Sequence, residues 1–470
     1  MSLCILLQTA HNLNPMHKPV HFFIKLFTFL AFLSTAGAQV SSPSAVLFER
    51  DRSRVVDEIL DDRFTNFLPQ LMRREGIDMW VIISREYNED PVLRTMLPST
   101  WLSARRRTII VFFDQGGDKG VEKLAIARYD VGNLLKGAWD IDVRPNQWEA
   151  LAKIIEDRKP KKIGLNMSTN YGHADGLSFS EHEEFLKKLP ADYQKRIVSA
   201  EKLAVGWLET RTEKEMAIYP LICRLSHQII QEGFSEQVIQ PGVTTTDDVV
   251  WWFRQRITDL GLSTWFHPTV DVQRSDKEDF NHLRTFSKRP DKQVIMPGDL
   301  LHVDFGITYL RLNTDQQQHA YVLRPGESDV PEAIKTAFKQ GNRLQEILTE
   351  QFSAGKTGNQ MLLAALEQSK KEGINGTIYS HPIGVHGHAA GPTIGLWDQQ
   401  KGVPGPGDYP LLANTAYSIE LNAAVEIPEW KKIVRIMLEE DGFFDGKTFR
   451  YIDGRQTEIY TIPRKLGYVK

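Results

Sequence analysis

The hydrophobic pattern changes character partway along the chain. After a polar stretch, SSPSA, residues 48–75 read as one charged amphipathic helix that stops at Gly76. Three apolar runs follow, IDMWVIIS, RRRTIIVFFD and KLAIARY, each with the β-branched and aromatic content of a buried strand. NQWEALAKIIEDRKP has helical periodicity and is stopped by Pro160, KKIGLN returns to strand, and SEHEEFLKKLP is a short helix. Strands alternating with helices predict an α/β domain over residues 45–205.

From Leu208 the texture differs. ETRTEKEMAIYPLICRLSHQIIQEGF has a long helical pattern, with Thr210 and Glu213 spaced as a capping box and Pro220 predicting a kink or break. A turn, IQPGVTT, leads to a second helix, and strand-like runs then dominate, with further helical regions at 331–351 and 358–372. Residues 206–470 are therefore expected to form a second domain, of α+β type.

A chain of 470 residues is too long for one core, which agrees with two domains. Its apolar content of 41% and charged content of 25% are those of a globular protein. The net charge of −3, with no basic stripe, gives no case for nucleic acid as a partner. The N-terminus reads as an export signal: a weakly basic start, an apolar run from Leu26 to Leu33, and Ala36-Gly37-Ala38 as a small-residue cleavage pattern. Cleavage would remove residues 1–38 and expose Gln39. The run is too short to span a bilayer. The expectation is an exported protein, periplasmic or secreted, with no stable membrane span after cleavage. Met16 is an alternative start. Of the two cysteines, Cys4 lies in this leader, which leaves Cys223 as a buried structural thiol with no intramolecular partner.

The candidate chemistry lies in the second domain. HVDFGITYLRLNTD places Asp304 and Asp315 eleven residues apart. On one straight strand an odd separation puts them on opposite faces. A bend between Gly306 and Asn313 would let them converge, and two converging carboxylates need a proton or a cation between them. YSHPIGVHGHAAGP concentrates His381, His386 and His388 in a glycine-rich segment, a pattern suited to metal or proton chemistry. Glu420 in SIELNAAV and Glu439 and Glu440 after VRIML are acids embedded in apolar strands, where they require partners.

Together these residues resemble the creatinase/aminopeptidase P/prolidase group of metallopeptidases, the pita-bread fold. That group has a D-x-G motif followed eleven residues later by Asp, matched by Asp304 and Asp315. It has an HGIGxxxH segment, matched by HPIGVHGH with His381 and His388. Its two glutamates lie in T-V-E-P-G and R-I-E-E-D, matched by SIELN at Glu420 and MLEED at Glu439. The resemblance runs over the whole mature chain. It implies an α/β N-terminal domain followed by an α+β catalytic domain with a curved, mostly antiparallel sheet, and a homodimer.

It further implies that Asp304, Asp315, His381, Glu420 and Glu439 hold two divalent metal ions. Manganese suits oxygen ligands with one imidazole, and zinc or cobalt compete. The activity implied is hydrolysis of Xaa-Pro bonds in a peptide substrate, as aminopeptidase or dipeptidase. His388 would face the substrate, and an assisting upstream histidine would be His282, with His267 as the alternative. The chain departs from the family pattern at Gln318, His386, Ala389, Leu421 and Met437, none of them an implied ligand. Residues Gln316 to His319 and Trp430 receive no role. Two other readings stay open: a metal-free hydrolase of the same fold, against which four clustered acids argue, and a non-catalytic binding module, which the departures at Ala389 and Met437 keep alive.

Overall fold

In a computed structural model, residues 46–276 and 292–465 are described. The expected export segment and His282 lie outside them. The described residues belong to one compact unit, Val46–Lys470.

The opening amphipathic segment is helical throughout. Helix α1 (Glu49–Asp62) passes through a π-turn (Arg63–Phe67) into α2 (Leu68–Glu75), which ends on Gly76 in the left-handed conformation. A six-stranded sheet follows, built from β1 (Met79–Arg85), β2 (Arg107–Asp114), β3 (Val121–Ala125), β4 (Lys136–Gly137), β5 (Ile163–Leu165) and β6 (Ile197–Ser199). Their order is β4-β3-β2-β1-β5-β6. β1 runs antiparallel to β2 and parallel to β5, so the sheet is mixed. The continuous apolar run of β1 follows from burial on both faces. Met79, Val81 and Ile83 pack towards Leu151 and Ile155 of α3 (Gln147–Arg158), whereas Trp80 and Ile82 share a core with Leu68, Leu71 and Trp207.

Helix α4 (Glu201–Glu209) leads into α5 (Glu213–Gly233). The capping box that opens α5 is formed by Thr212 and Glu215, two residues later than the spacing of Thr210 and Glu213 suggested. Thr210 instead closes α4. Pro220 does not break α5, which runs through it for 21 residues. Cys223 is buried, as expected. Helix α6 (Thr246–Asp259) follows, with its own capping box at Thr245 and Asp248.

Several small sheets, rather than one, make up the remainder. β7 (Thr269–Gln273), β8 (Leu300–Phe305), β11 (Gln316–Val322) and β19 (Tyr460–Ile462) pair in the order β19-β11-β8-β7. Between β8 and β11, the short strands β9 (Thr308–Tyr309) and β10 (Leu312–Asn313) form a hairpin. A second sheet joins β12 (Gly376–Ile378), β15 (Leu421–Ile427) and β16 (Lys432–Leu438). A third joins β13 (His381–Pro382), β14 (Thr415–Ser418), β17 (Asp441–Phe444) and β18 (Phe449–Tyr451). Pairing in these sheets is antiparallel except between β11 and β19. Helix α7 (Glu332–Thr349) covers β15 and β16 through Leu344, Ile347, Val425 and Ile436, and α8 (Gly358–Lys371) packs beside α7 and β12. No helix among the described residues is long and apolar enough to cross a membrane.

Candidate metal centre

Alternation along β8 and β11 decides which side chains reach the site. Leu301, Val303 and Phe305 of β8 and Ala320 and Val322 of β11 enter one hydrophobic core. The opposite face therefore carries His302 and Asp304 from β8, and Gln317 and His319 from β11, with Asp315 just before it. The bend expected between the two aspartates is the β9–β10 hairpin. Its two turn residues, Leu310 and Arg311, both have positive φ, 51° and 64°, as a two-residue hairpin turn requires. The chain can double back at Gly306 because a Cβ there would lie 2.2 Å from the Thr314 carbonyl oxygen. Asp304 consequently stands across from Gln317, with Asp315 beside them.

His381 arrives on β13, across from Ser418 of β14. Glu420 lies between β14 and β15, and Glu439 between β16 and β17, where its backbone bridges that of Gln317. All five residues converge. Donor atoms of Asp304, Asp315 and Glu439 lie within 4.8 Å of one another, as do those of His381, Glu420 and Glu439, and those of Asp315, His381 and His388.

The electrostatics of this cluster call for a proton or a cation. His381 Nδ1 lies 2.9 Å from the Pro382 carbonyl oxygen and must donate to it, which leaves the lone pair of Nε2 pointing inward. Nε2 faces Glu439 Oε1 at 3.5 Å, Asp315 Oδ2 at 3.7 Å and Glu420 Oε2 at 3.9 Å. Both His381 Nε2 and Asp315 Oδ1 are buried without a hydrogen-bond partner. Burial, then the neighbouring carboxylates, hold Asp315 and Glu420 well above the usual carboxylate range. A lone pair and three buried carboxylates sharing one space are mutually repulsive unless positive charge lies among them. The residues present therefore fit divalent metal ions.

His388 is exposed, and its ring centroid lies 4.7 Å from that of His381. Burial of its ring nitrogens and the neighbouring His381 push its pKa down to about 4, so it is a neutral imidazole at pH 7. Gly387 is required beside it because a Cβ there would lie 2.3 Å from the ring of Trp265. Trp265 is itself anchored by its indole N–H, which donates to the Thr314 carbonyl at 3.0 Å.

Two other histidines lie elsewhere. The ring of His386 lies 4.7 Å from that of His173, which reaches this loop from the N-terminal half of the chain. His267 is exposed, with Nδ1 3.1 Å from Arg254 Nη1 and its ring against Trp251 of α6, so these contacts turn it towards that helix. Glu440 faces the opposite way from Glu439. It accepts from Gln318 Nε2 at 2.7 Å and from the Gln456 backbone N–H at 3.0 Å, and it meets His227 Nε2 at 2.7 Å. Leu421 and Met437 are buried in β15 and β16, and Ala389 donates its backbone N–H to the Pro382 carbonyl.

Sequence reading missed Trp265, Gln317, Ser418, His227 and His173. Ser418 donates to Glu439 Oε1 at 2.5 Å, and Gln317 donates to both glutamates. Ser418 lies two residues before Glu420 in the same motif and could have been noticed; neutral amides and distant aromatics carry no comparable signal.

Clustered acids around one imidazole, on a framework of small antiparallel sheets, form a donor set suited to divalent metal ions. Residues 221–441 match the model of metallopeptidase family M24. The whole fold is similar to solved structures of X-Pro aminopeptidase from Thermotoga maritima (TM-score 0.59, 18% identity, 83% of this chain and 99% of that chain). It is similar also to Xaa-Pro dipeptidase from Bacillus anthracis (0.52, 16%, 88% and 100%) and a dipeptidase from Mycobacterium ulcerans (0.54, 16%, 87% and 99%). At these identities the likeness concerns the fold. Comparison with curated proteins gives no match.

Proposed function

We propose that this protein is an exported exopeptidase that hydrolyses Xaa-Pro bonds with two divalent metal ions, most naturally manganese. The observation that carries the reading is His381, whose inward lone pair stands 3.5–3.9 Å from three carboxylate oxygens. Asp304, Asp315, His381, Glu420 and Glu439 would hold the ions. When bound, the ions supply Lewis acidity to the scissile carbonyl and lower the pKa of an attacking water.

The remaining work falls to the chain. Neutral His388, at the exposed edge of the cluster, can donate a hydrogen bond to the substrate carbonyl as charge develops on it. Trp265 holds the loop of His388 and offers an apolar surface on which a proline ring can rest. The structural neighbours that are an X-Pro aminopeptidase and an Xaa-Pro dipeptidase support this substrate class. The export signal and homodimer expected from the sequence belong to the same reading.

The test is hydrolysis of Xaa-Pro dipeptides, Xaa-Pro-initiated peptides and proline-free controls by metal-stripped protein, with and without Mn²⁺. Metal-dependent cleavage confined to bonds before proline is expected, and the length dependence separates dipeptidase from aminopeptidase. Stoichiometric metal binding with no cleavage would replace this reading with a non-peptidase hydrolase or a binding protein.

A further inference from the structure

Gln317 sits in the middle of the acid cluster. It lies two residues beyond Asp315, on the same face of β11, directly across from Asp304. Its side-chain Nε2 donates to Glu420 Oε1 at 2.5 Å and to Glu439 Oε2 at 2.6 Å, so both amide hydrogens are used on two different carboxylates. Its Oε1 lies 2.9 Å from His302 Nε2. The amide cannot be reversed, because an oxygen facing two carboxylates would be repelled by both. His302 must therefore carry its hydrogen on Nε2. Behind it, His302 Nδ1 faces Asp271 Oδ2 at 3.6 Å on β7. A row of polar side chains thus crosses three adjacent strands and ends on two of the acids.

We infer that Gln317 is a positioning residue of the metal centre, tying down one oxygen of each glutamate so that Glu420 Oε2 and Glu439 Oε1 stay beside His381. Those two oxygens are the ones found 3.9 and 3.5 Å from His381 Nε2. Without the Gln317 amide the two buried glutamates would be free to turn apart; the shared amide holds them at a common separation before any ion arrives. His302 keeps the amide from rotating. The inference rests on the metal-centre reading above.

The test measures metal affinity rather than turnover. The metal-stripped full chain and its variants are titrated with Mn²⁺ in competition with a chelating dye, and with Co²⁺ to record its visible ligand-field bands. Gln317→Met keeps the volume and removes the donor. It is expected to weaken Mn²⁺ binding about 10–100-fold, the usual cost of losing an outer-shell partner, and to shift the Co²⁺ bands. His302→Leu is expected to weaken binding in the same direction, by less. His302→Gln, whose side-chain amide can still donate to Gln317 Oε1, is expected to restore it. A folded Gln317→Met protein with wild-type Mn²⁺ affinity and an unchanged Co²⁺ spectrum overturns the inference. If circular dichroism shows that Gln317→Met does not fold, wild-type affinity in His302→Leu overturns it instead. Failure of the wild-type chain itself to bind either ion overturns the metal-centre reading, which is a distinguishable result.

Discussion

His227 Nε2 stands 2.7 Å from Glu440 Oε2, and Nδ1 of the same ring stands 3.2 Å from Asp453 Oδ2. One imidazole of α5 thus serves two carboxylates, one of them adjacent in sequence to Glu439. The family pattern places an arginine where this chain has Gln318. Gln318 supplies a neutral hydrogen bond to Glu440, and His227 supplies the positive charge from another element.

Burial alone would push His227 down, but Glu440 and Asp453 outweigh it and hold its pKa up at about 10. A cationic group raised in the folded state stabilises fully below its unfolded pKa, and that contribution is lost as pH rises to the folded value. His227→Gln should therefore lower Tm most near pH 6, with the difference from wild type vanishing towards pH 10. The cost at pH 6 should be about 2–3 kcal/mol, the low end for breaking a buried pair, because two other hydrogen bonds to Glu440 remain. Thermal melts at several pH values check this.

Metal removal should have a pH-dependent cost. Asp315 and Glu420 are raised well above their usual range by burial and by the carboxylates around them. A carboxyl raised in the folded state opposes folding increasingly as pH climbs from its unfolded value towards its folded one. Metal-stripped protein should thus lose stability from about pH 4 upwards, and excess Mn²⁺ should reverse the trend because it binds the ionised form. Calorimetric scans at pH 5 and pH 8, with chelator or with Mn²⁺, give the comparison.

Asp315→Ala and His381→Ala should abolish both metal uptake and turnover, since each removes a donor from a buried set. His388→Ala should leave metal stoichiometry intact and reduce kcat about 10²–10³-fold, the range for a positioned hydrogen-bond or proton donor. Elemental analysis alongside the peptide panel separates the two classes.

Gly387→Ala should reduce turnover at least about tenfold, because the new Cβ must displace Trp265 or the loop of His388, and small misplacements are costly in catalysis. Pairing it with Trp265→Ala removes the obstruction. The double variant should bind Mn²⁺ normally and regain part of kcat while KM stays high.

Glu209 is fully buried and neither of its oxygens has a hydrogen-bond partner; burial pushes its pKa up to about 8. It is folded as the neutral acid at pH 7. Glu209→Gln should therefore change Tm little near pH 5 and raise it by a few degrees at pH 9, where wild type must ionise a buried group. Melts of the two proteins at these pH values decide it.

The order Asp304, Asp315, His381, Glu420, Glu439 was readable through its resemblance to the family's motifs, with Asp304, Glu420 and Glu439 marked out by apolar neighbours among which a carboxylate is costly. The unbroken apolar runs of β1 and β2 were readable for the converse reason. Gln317 was not, because a neutral amide in a strand has no periodic or charge signature. His227 and Trp265 were hidden by sequence distance: His227 lies 213 residues from Glu440. The capping box was misplaced by two residues because Thr210 and Thr212 are both followed three positions later by an acid, and only the end of α4 shows which is free to cap α5.

The β9–β10 hairpin has a consequence for how the protein is made. Tyr309 accepts the backbone N–H of Leu47, and Arg311 donates to the Leu97 carbonyl, contacts spanning 262 and 214 residues. The loop that aligns Asp304 with Asp315 is therefore braced by the start of the described chain, while their partner Glu439 leaves the ribosome 135 residues after Asp304. Such long-range closure is slow and cannot be nucleated locally. The acid cluster is thus completed only when Glu439, near the end of the 470-residue chain, has been made.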